Sequence, residues 1–408
     1  MTPKKKTKKV KYGLVLGLPA QAGVVAICVI ITTLILKNFL PIQKDKSAMS
    51  LFDKFIPKSK NECLYEDNFE YYYYKPTNKL LQKNNKFGIY IYAENKDFFK
   101  LAQELVNSNG GDWGYVLIPY NVRDRDYVKW KTVFEQLNER HLIPVIQLWD
   151  VNTKDYKDQT KKSAEFLDSF LWPIKNRYIS VYNEPNDEKF WGGKVDPENY
   201  AKVLDYTIKT FKKENSNFFM LNGGFNVSAE TNSQYLDSLS FMYLMNQAVK
   251  GIFDELDGWA SHSYPQPNFS GGVYSTGRWS IKAYNEELRY LKDTLGVKKD
   301  LPVFITETGW AHAEGENWNS SYFASDIVSQ NYKEAFENVW LLDPKVVAVM
   351  PFTIRYDAPF DHFSWVNSDN VGYKQYEVVK SIKKEAGTPD LVSKGNVSSF
   401  VCTKQLKK

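Results

Sequence analysis

Eight short apolar runs recur through most of this chain, and the spacing between them leaves room for one helix each time. The runs cover residues 87–92, 115–120, 143–148, 178–182, 218–221, 258–262, 302–306 and 346–353. They are rich in β-branched and aromatic side chains, and several lack the apolar–polar alternation of a half-exposed strand. They therefore read as parallel strands buried on both faces. Between them the apolar period lengthens to that of a helix. Residues 127–141 carry Val128, Trp130, Val133, Phe134 and Leu137 at helical spacing. Residues 197–213 open on Asp196 as a cap and Pro197 at the first helical position, followed by Tyr200, Val203, Leu204 and Ile208. Residues 285–295 and 322–342 supply the helices before strands seven and eight. Eight strands alternating with helices predict an α/β fold, a (β/α)8 TIM barrel. A doubly wound open sheet would alternate similarly, but no glycine-rich phosphate loop follows the first strand.

Within that frame two carboxylates stand out. Glu184 lies in Tyr182-Asn183-Glu184-Pro185 just past the fourth run, and Glu307 lies in Thr306-Glu307-Thr308-Gly309-Trp310 just past the seventh. Residues at the carboxyl ends of barrel strands face the mouth where chemistry is done. Two carboxyl groups flanking one bond are what glycoside hydrolysis requires, one donating a proton and the other attacking or activating water. Each would otherwise be a helix cap or a member of a surface ion pair. The chain is 408 residues long and 15% aromatic, with 27 Tyr and 11 Trp, enough for a large core as well as rings to stack on sugars. Trp149 after strand three, Trp310 after strand seven and Trp365 in the loop after strand eight are the stacking candidates. Tyr71 to Tyr74 are not, because four consecutive side chains in a strand alternate between faces.

From about residue 87 to 386 these features resemble glycoside hydrolase clan A, the cellulase-like retaining (β/α)8 barrels. The clan carries Asn-Glu at the end of strand four and a second Glu at the end of strand seven, as here. The resemblance implies that Glu184 is the acid/base and Glu307 the nucleophile. It implies that Asn183 hydrogen-bonds a sugar hydroxyl, and that of His262 and Tyr264, which alternate on strand six, the Tyr donates to the nucleophile. It would make Arg123 the clan's arginine near the nucleophile, although Arg123-Asp124-Arg125-Asp126 also reads as a solvated loop. The clan often ends strand eight on Trp, whereas this chain has Phe352-Thr353-Ile354-Arg355, so Trp365 is expected to fill that place from the loop. The activity implied is retaining hydrolysis of oligo- or polysaccharide. Transfer to a sugar acceptor would use the same intermediate, and a barrel that binds glycans without cleaving them is the alternative outside enzymology.

The amino terminus carries a separate signal. Lys4, Lys5, Lys6, Lys8, Lys9 and Lys11 precede an apolar stretch closed by Lys37. The stretch is long enough to cross a bilayer, and the lysines orient it with the amino terminus cytoplasmic. A cleaved signal peptide begins in the same way. The expected organisation is a basic tail over 1–12, a membrane anchor over 13–37 in contact with lipid, a tether over 38–61, a catalytic domain over 62–388 outside the cytoplasm and a tail over 389–408. Residues 62–85 are expected to form a short hairpin under the barrel. Without the six lysines the formal net charge falls from +5 to −1, so nothing in the body suggests a nucleic-acid partner. Cys63 and Cys402 flank the domain and either pair, since the ends of a barrel lie close together, or remain free thiols. No Cys/His spacing resembles a zinc site and the four histidines are scattered, so no metal or organic cofactor is expected.

Overall fold

The computed structural model of the chain describes residues 83–92 and 95–397, together with the short strands Tyr65–Glu66, Phe69–Tyr74 and Phe400–Val401. The expected basic tail, membrane span and tether, and both Cys63 and Cys402, lie outside the described residues. Among the described residues no helix is long and apolar enough to cross a membrane.

Eight parallel strands make the core of the fold: β1 (Gly88–Tyr90), β2 (Gly114–Asn121), β3 (Leu142–Trp149), β4 (Arg177–Val181), β5 (Phe218–Asn222), β6 (Trp259–His262), β7 (Val303–Glu307) and β8 (Val346–Val349). Strands β1 to β5 pair in order, and β6 to β8 pair in order. Single bridges join the two groups, Leu221 with Gly258 and Phe87 with Val349, both parallel. The Asp257 N–H donates to the Met220 carbonyl at 2.9 Å and the Tyr90 N–H to that of Pro351 at 3.0 Å, so the sheet closes on itself.

The helices follow in turn: α1 (Lys96–Val106), α2 (Tyr127–Glu139), α3 (Tyr156–Asp168), α4 (Pro197–Glu214), α5 (Ser238–Ala248), α6 (Ala283–Asp293), α7 (Ser325–Ala335) and α8 (Lys374–Ser381). Helix α4 starts as its sequence requires, with the Asp196 carboxylate accepting from the Asn199 N–H at 3.0 Å and Pro197 in the first turn. Helix α7 runs on as a π-helical turn over Phe336–Trp340, which accounts for the long apolar pattern ending near 342.

Side chains alternate between two buried layers. Tyr90, Tyr115, Leu117, Ile143, Val145, Tyr178, Leu221, Ala260, Phe304 and Ala348 fill the inside of the barrel. Their neighbours Ile89, Val116, Ile118, Ile146, Ile179, Met220, Trp259 and Ile305 pack outward under the helices. With both faces dry, the runs read as continuously apolar rather than alternating.

Among the described residues of 62–85 no strand pairs with another of the same segment. Phe69–Tyr74 instead pairs antiparallel with Val392–Val397, and Tyr65–Glu66 with Phe400–Val401. A strand needs a partner for its backbone donors and acceptors, and here the carboxyl-terminal tail supplies it. The polar composition of that tail concealed its strands.

At the base of the barrel, Arg177 at the start of β4 forms an ion pair with Asp168 at the end of α3. Asp168 also accepts from Asn215 Nδ2 at 2.7 Å, and all three residues are buried. Removing one partner leaves the other charge in a dry place. Asp168→Ala is expected to lower stability by about 3–5 kcal/mol, read from the midpoint of urea unfolding at unchanged slope.

Candidate active site

Strands β4, β6 and β7 bring Glu184, His262, Tyr264 and Glu307 together at the carboxyl-terminal mouth. Glu307 is the last residue of β7, and Glu184 follows β4 by three residues. The β4 segment leaves its strand sharply, with Tyr182 at φ 72° and Glu184 at φ 35°, and the Glu184 N–H donates to the Gly224 carbonyl at 3.0 Å. His262 Nδ1 lies 3.1 Å from Glu184 Oε1 and 3.7 Å from Glu307 Oε2. Tyr264 donates its hydroxyl to Glu307 Oε2 at 3.1 Å. One ligand atom each from Glu184, His262 and Glu307 falls within 4.8 Å of the others. The side chains of Glu184 and Glu307 are only 15% and 12% exposed, and that of His262 is fully buried.

The two carboxylates and the imidazole set one another's charge. Burial and the neighbouring Glu184 push the Glu307 carboxyl up to about 7, against the opposing effects of His262 and of the Tyr264 hydroxyl. Burial works against a charge on His262, but Glu307 and Glu184 outweigh it and raise its pKa above the usual value. Tyr264, buried against both carboxylates, is held well above the usual tyrosine range.

Two features of this site were not read from the sequence. Gly223 and Gly224 let β4, β5 and β6 approach closely: a Cβ on Gly224 would lie 2.4 Å from His262 Nε2, and one on Gly223 would lie 2.8 Å from the Tyr182 carbonyl oxygen. The Asn222-Gly223-Gly224 step at a strand end was the available signal. Gln147 on β3 is fully buried and donates from Nε2 to Asn183 Oδ1 at 2.9 Å. The argument from scattered histidines against a metal also fails for His262. Tertiary structure places it between two carboxylates, a donor set that a cation such as Zn²⁺ can take.

Other expected residues sit elsewhere. Arg123 pairs with Asp150 at 3.4 Å on the rim, with 58% of its side chain exposed. Tyrosines border Glu307. Burial first, and then the charge of Glu307, raises the hydroxyl pKa of Tyr90, and burial, then Tyr92, then Glu307 raise that of Tyr356. Trp310 and Trp365 are buried and offer no face to a sugar. Trp310 donates from Nε1 to the Gly271 carbonyl at 2.8 Å, holding the loop after β6, and Trp365 packs on Tyr332. The place after β8 is taken by Phe352, whose ring meets Tyr90 edge-on at 5.0 Å. Trp149 is half-buried on the rim and packs edge-on against Phe190 at 5.5 Å. The loops after β6 and β7 carry more open rings, Trp279 at 54% and Trp318 at 66% exposure.

Among solved structures, the chain is similar to a subgroup II GH128 endo-β-1,3-glucanase from Pseudomonas viridiflava, at 14% identity over 73% of this chain and 98% of that one, with a TM-score of 0.49. It is similar to a β-glucanase from Saccharophagus degradans at 15% identity, over 81% and 98%, with a TM-score of 0.48. It is also similar to a calcium-binding mutant of a Bacteroides uniformis β-glucuronidase at 12% identity and a TM-score of 0.50, over 77% of this chain but only 37% of that one. By name all three are glycosidases. At these identities the likeness is one of fold. No protein-family model matches the chain, and no curated protein sequence matches it.

Because the Glu307 carboxyl is raised in the folded protein, the unfolded chain holds its charge more readily. Stability therefore falls as pH rises from about 4.5 to about 7. Glu307→Gln removes this penalty. The variant is expected to be more stable than wild type at pH 7 and above, by on the order of 2 kcal/mol, with the gain vanishing near pH 4. Denaturant unfolding at both pH values checks this.

Proposed function

We propose that the chain is a glycoside hydrolase acting on oligo- or polysaccharide with retention of configuration. The observation that carries the reading is the pair of nearly buried carboxylates, with oxygens within 4.8 Å of one another at the mouth of a parallel barrel. Retaining enzymes hold their carboxyl groups about 5 Å apart and inverting ones about 6.5–9.5 Å, and this pair falls on the short side. Glu307 ends β7 and accepts the Tyr264 hydroxyl, the position and contact that the clan A resemblance gives to the nucleophile, and it is assigned that role. Glu184 is the acid/base. In the first step Glu307 attacks the anomeric carbon while Glu184 protonates the departing oxygen. In the second, Glu184 takes a proton from water, which displaces Glu307. Glycosidase neighbours of the same fold agree with this reading, and Trp149, Trp279 and Trp318 are available to stack on a chain of sugars.

The test uses the domain from about residue 62 with a panel of aryl glycosides and polysaccharides. Glu184→Gln is expected to lose about 10²–10⁴-fold in activity, Glu307→Gln at least as much, and the first-formed product should keep the anomeric configuration of the substrate. Inversion would overturn the mechanism. A folded wild type that binds glycans and cleaves none would overturn the enzyme.

The basic tail and apolar stretch over 1–37 support a second part of the proposal, that the enzyme is held on a membrane with its domain outside the cytoplasm. The full chain is expected in the membrane fraction after an alkaline wash, with its domain open to added protease only from outside the cell. Recovery in the soluble fraction would remove the anchor.

A further inference from the structure

Gln147 and Asn183 form a buried amide pair beneath the carboxylates, and its geometry bears on how a substrate hydroxyl is held. Gln147 lies opposite Ser180 in the β3–β4 ladder, three residues before Asn183. It is fully exposed to neither solvent nor the helices' surface, being completely buried, and its Nε2 donates to Asn183 Oδ1 at 2.9 Å while its own Oε1 has no partner. Asn183 Nδ2 has no protein acceptor among the described residues. An amide pair can be written either way round, and the alternative would give Asn183 Nδ2 to Gln147 Oε1. That arrangement would leave the whole Gln147 amino group unpaired in the core, whereas the observed one leaves a single carbonyl oxygen, and a buried oxygen lacking partners is the more tolerable of the two.

We propose that Gln147 is a positioning residue. By occupying Asn183 Oδ1 it fixes the asparagine amide so that Nδ2, beside Glu184, donates to the substrate hydroxyl on the carbon next to the one attacked by Glu307. This rests on the reading of the chain as a glycoside hydrolase, in which contacts to that hydroxyl strengthen in the transition state. Gln147 touches no substrate, and its effect passes through Asn183 alone.

The experiment compares aryl glycosides that have and lack this hydroxyl, each rate taken relative to its uncatalysed hydrolysis. Wild type is expected to favour the hydroxylated substrate about 100-fold or more, since this contact supplies a large share of transition-state stabilisation. Gln147→Leu and Gln147→Met both remove the donor. Both are expected to narrow the preference about tenfold, roughly the worth of one hydrogen bond, chiefly through kcat. Gln147→His, whose ring N–H can reach the same oxygen, is expected to keep it. A purely structural role would lower rates on both substrates alike and leave the ratio unchanged, and that result would overturn the proposal while leaving the hydrolase standing. If Gln147→Leu fails to fold, the Met and His variants decide between the same two outcomes. A wild type inactive on every glycoside would overturn the hydrolase reading and this one with it.

Discussion

Two carboxylates held within 5 Å of each other and almost out of water cannot both be charged cheaply, and the rest of the site is arranged around that repulsion. His262 sits between them with one nitrogen toward both. Tyr264 supplies a donor to Glu307. The result is a place where one proton is readily exchanged between groups, which is what a reaction needing an acid and an anion side by side demands.

Holding that arrangement requires backbone as much as side chains. The chain turns abruptly after β4, with two non-glycine residues at positive φ around Asn183. Such conformations are costly and persist where the surroundings over-determine them. The surroundings here are β5 and β6, which come close because Gly223 and Gly224 present no side chain. Under them the barrel interior is filled by Tyr115, Tyr178 and Phe304, whose rings pack on one another and leave the mouth little freedom to relax.

Much of this was legible beforehand, and the reason is periodicity. Strands buried on both faces are continuously apolar and helices between them are amphipathic, so the count of eight and the placement of Glu184 and Glu307 at strand ends could be read directly. His262 and Tyr264 were legible because alternate residues of a strand share a face. The failures share a different cause. Trp310 and Trp365 follow strands as a sugar platform would, but whether a ring faces a cleft or a core depends on loops that return from elsewhere. Arg123 read equally as part of a solvated loop, and the structure pairs it with Asp150, 27 residues later. The strands of the carboxyl-terminal tail were invisible because their partner lies more than 300 residues away.

The sequence by itself determined the alternation of elements, the strand ends that bear carboxylates and the basic, apolar character of the amino terminus, since these follow from local composition and spacing. Only the tertiary structure decided that Glu184, His262 and Glu307 meet, that Gly224 just past β5 makes room for the imidazole and that Gln147 grips Asn183. Each of these is a contact between strands far apart in the chain. Barrel closure sets such distances, and no local pattern carries them.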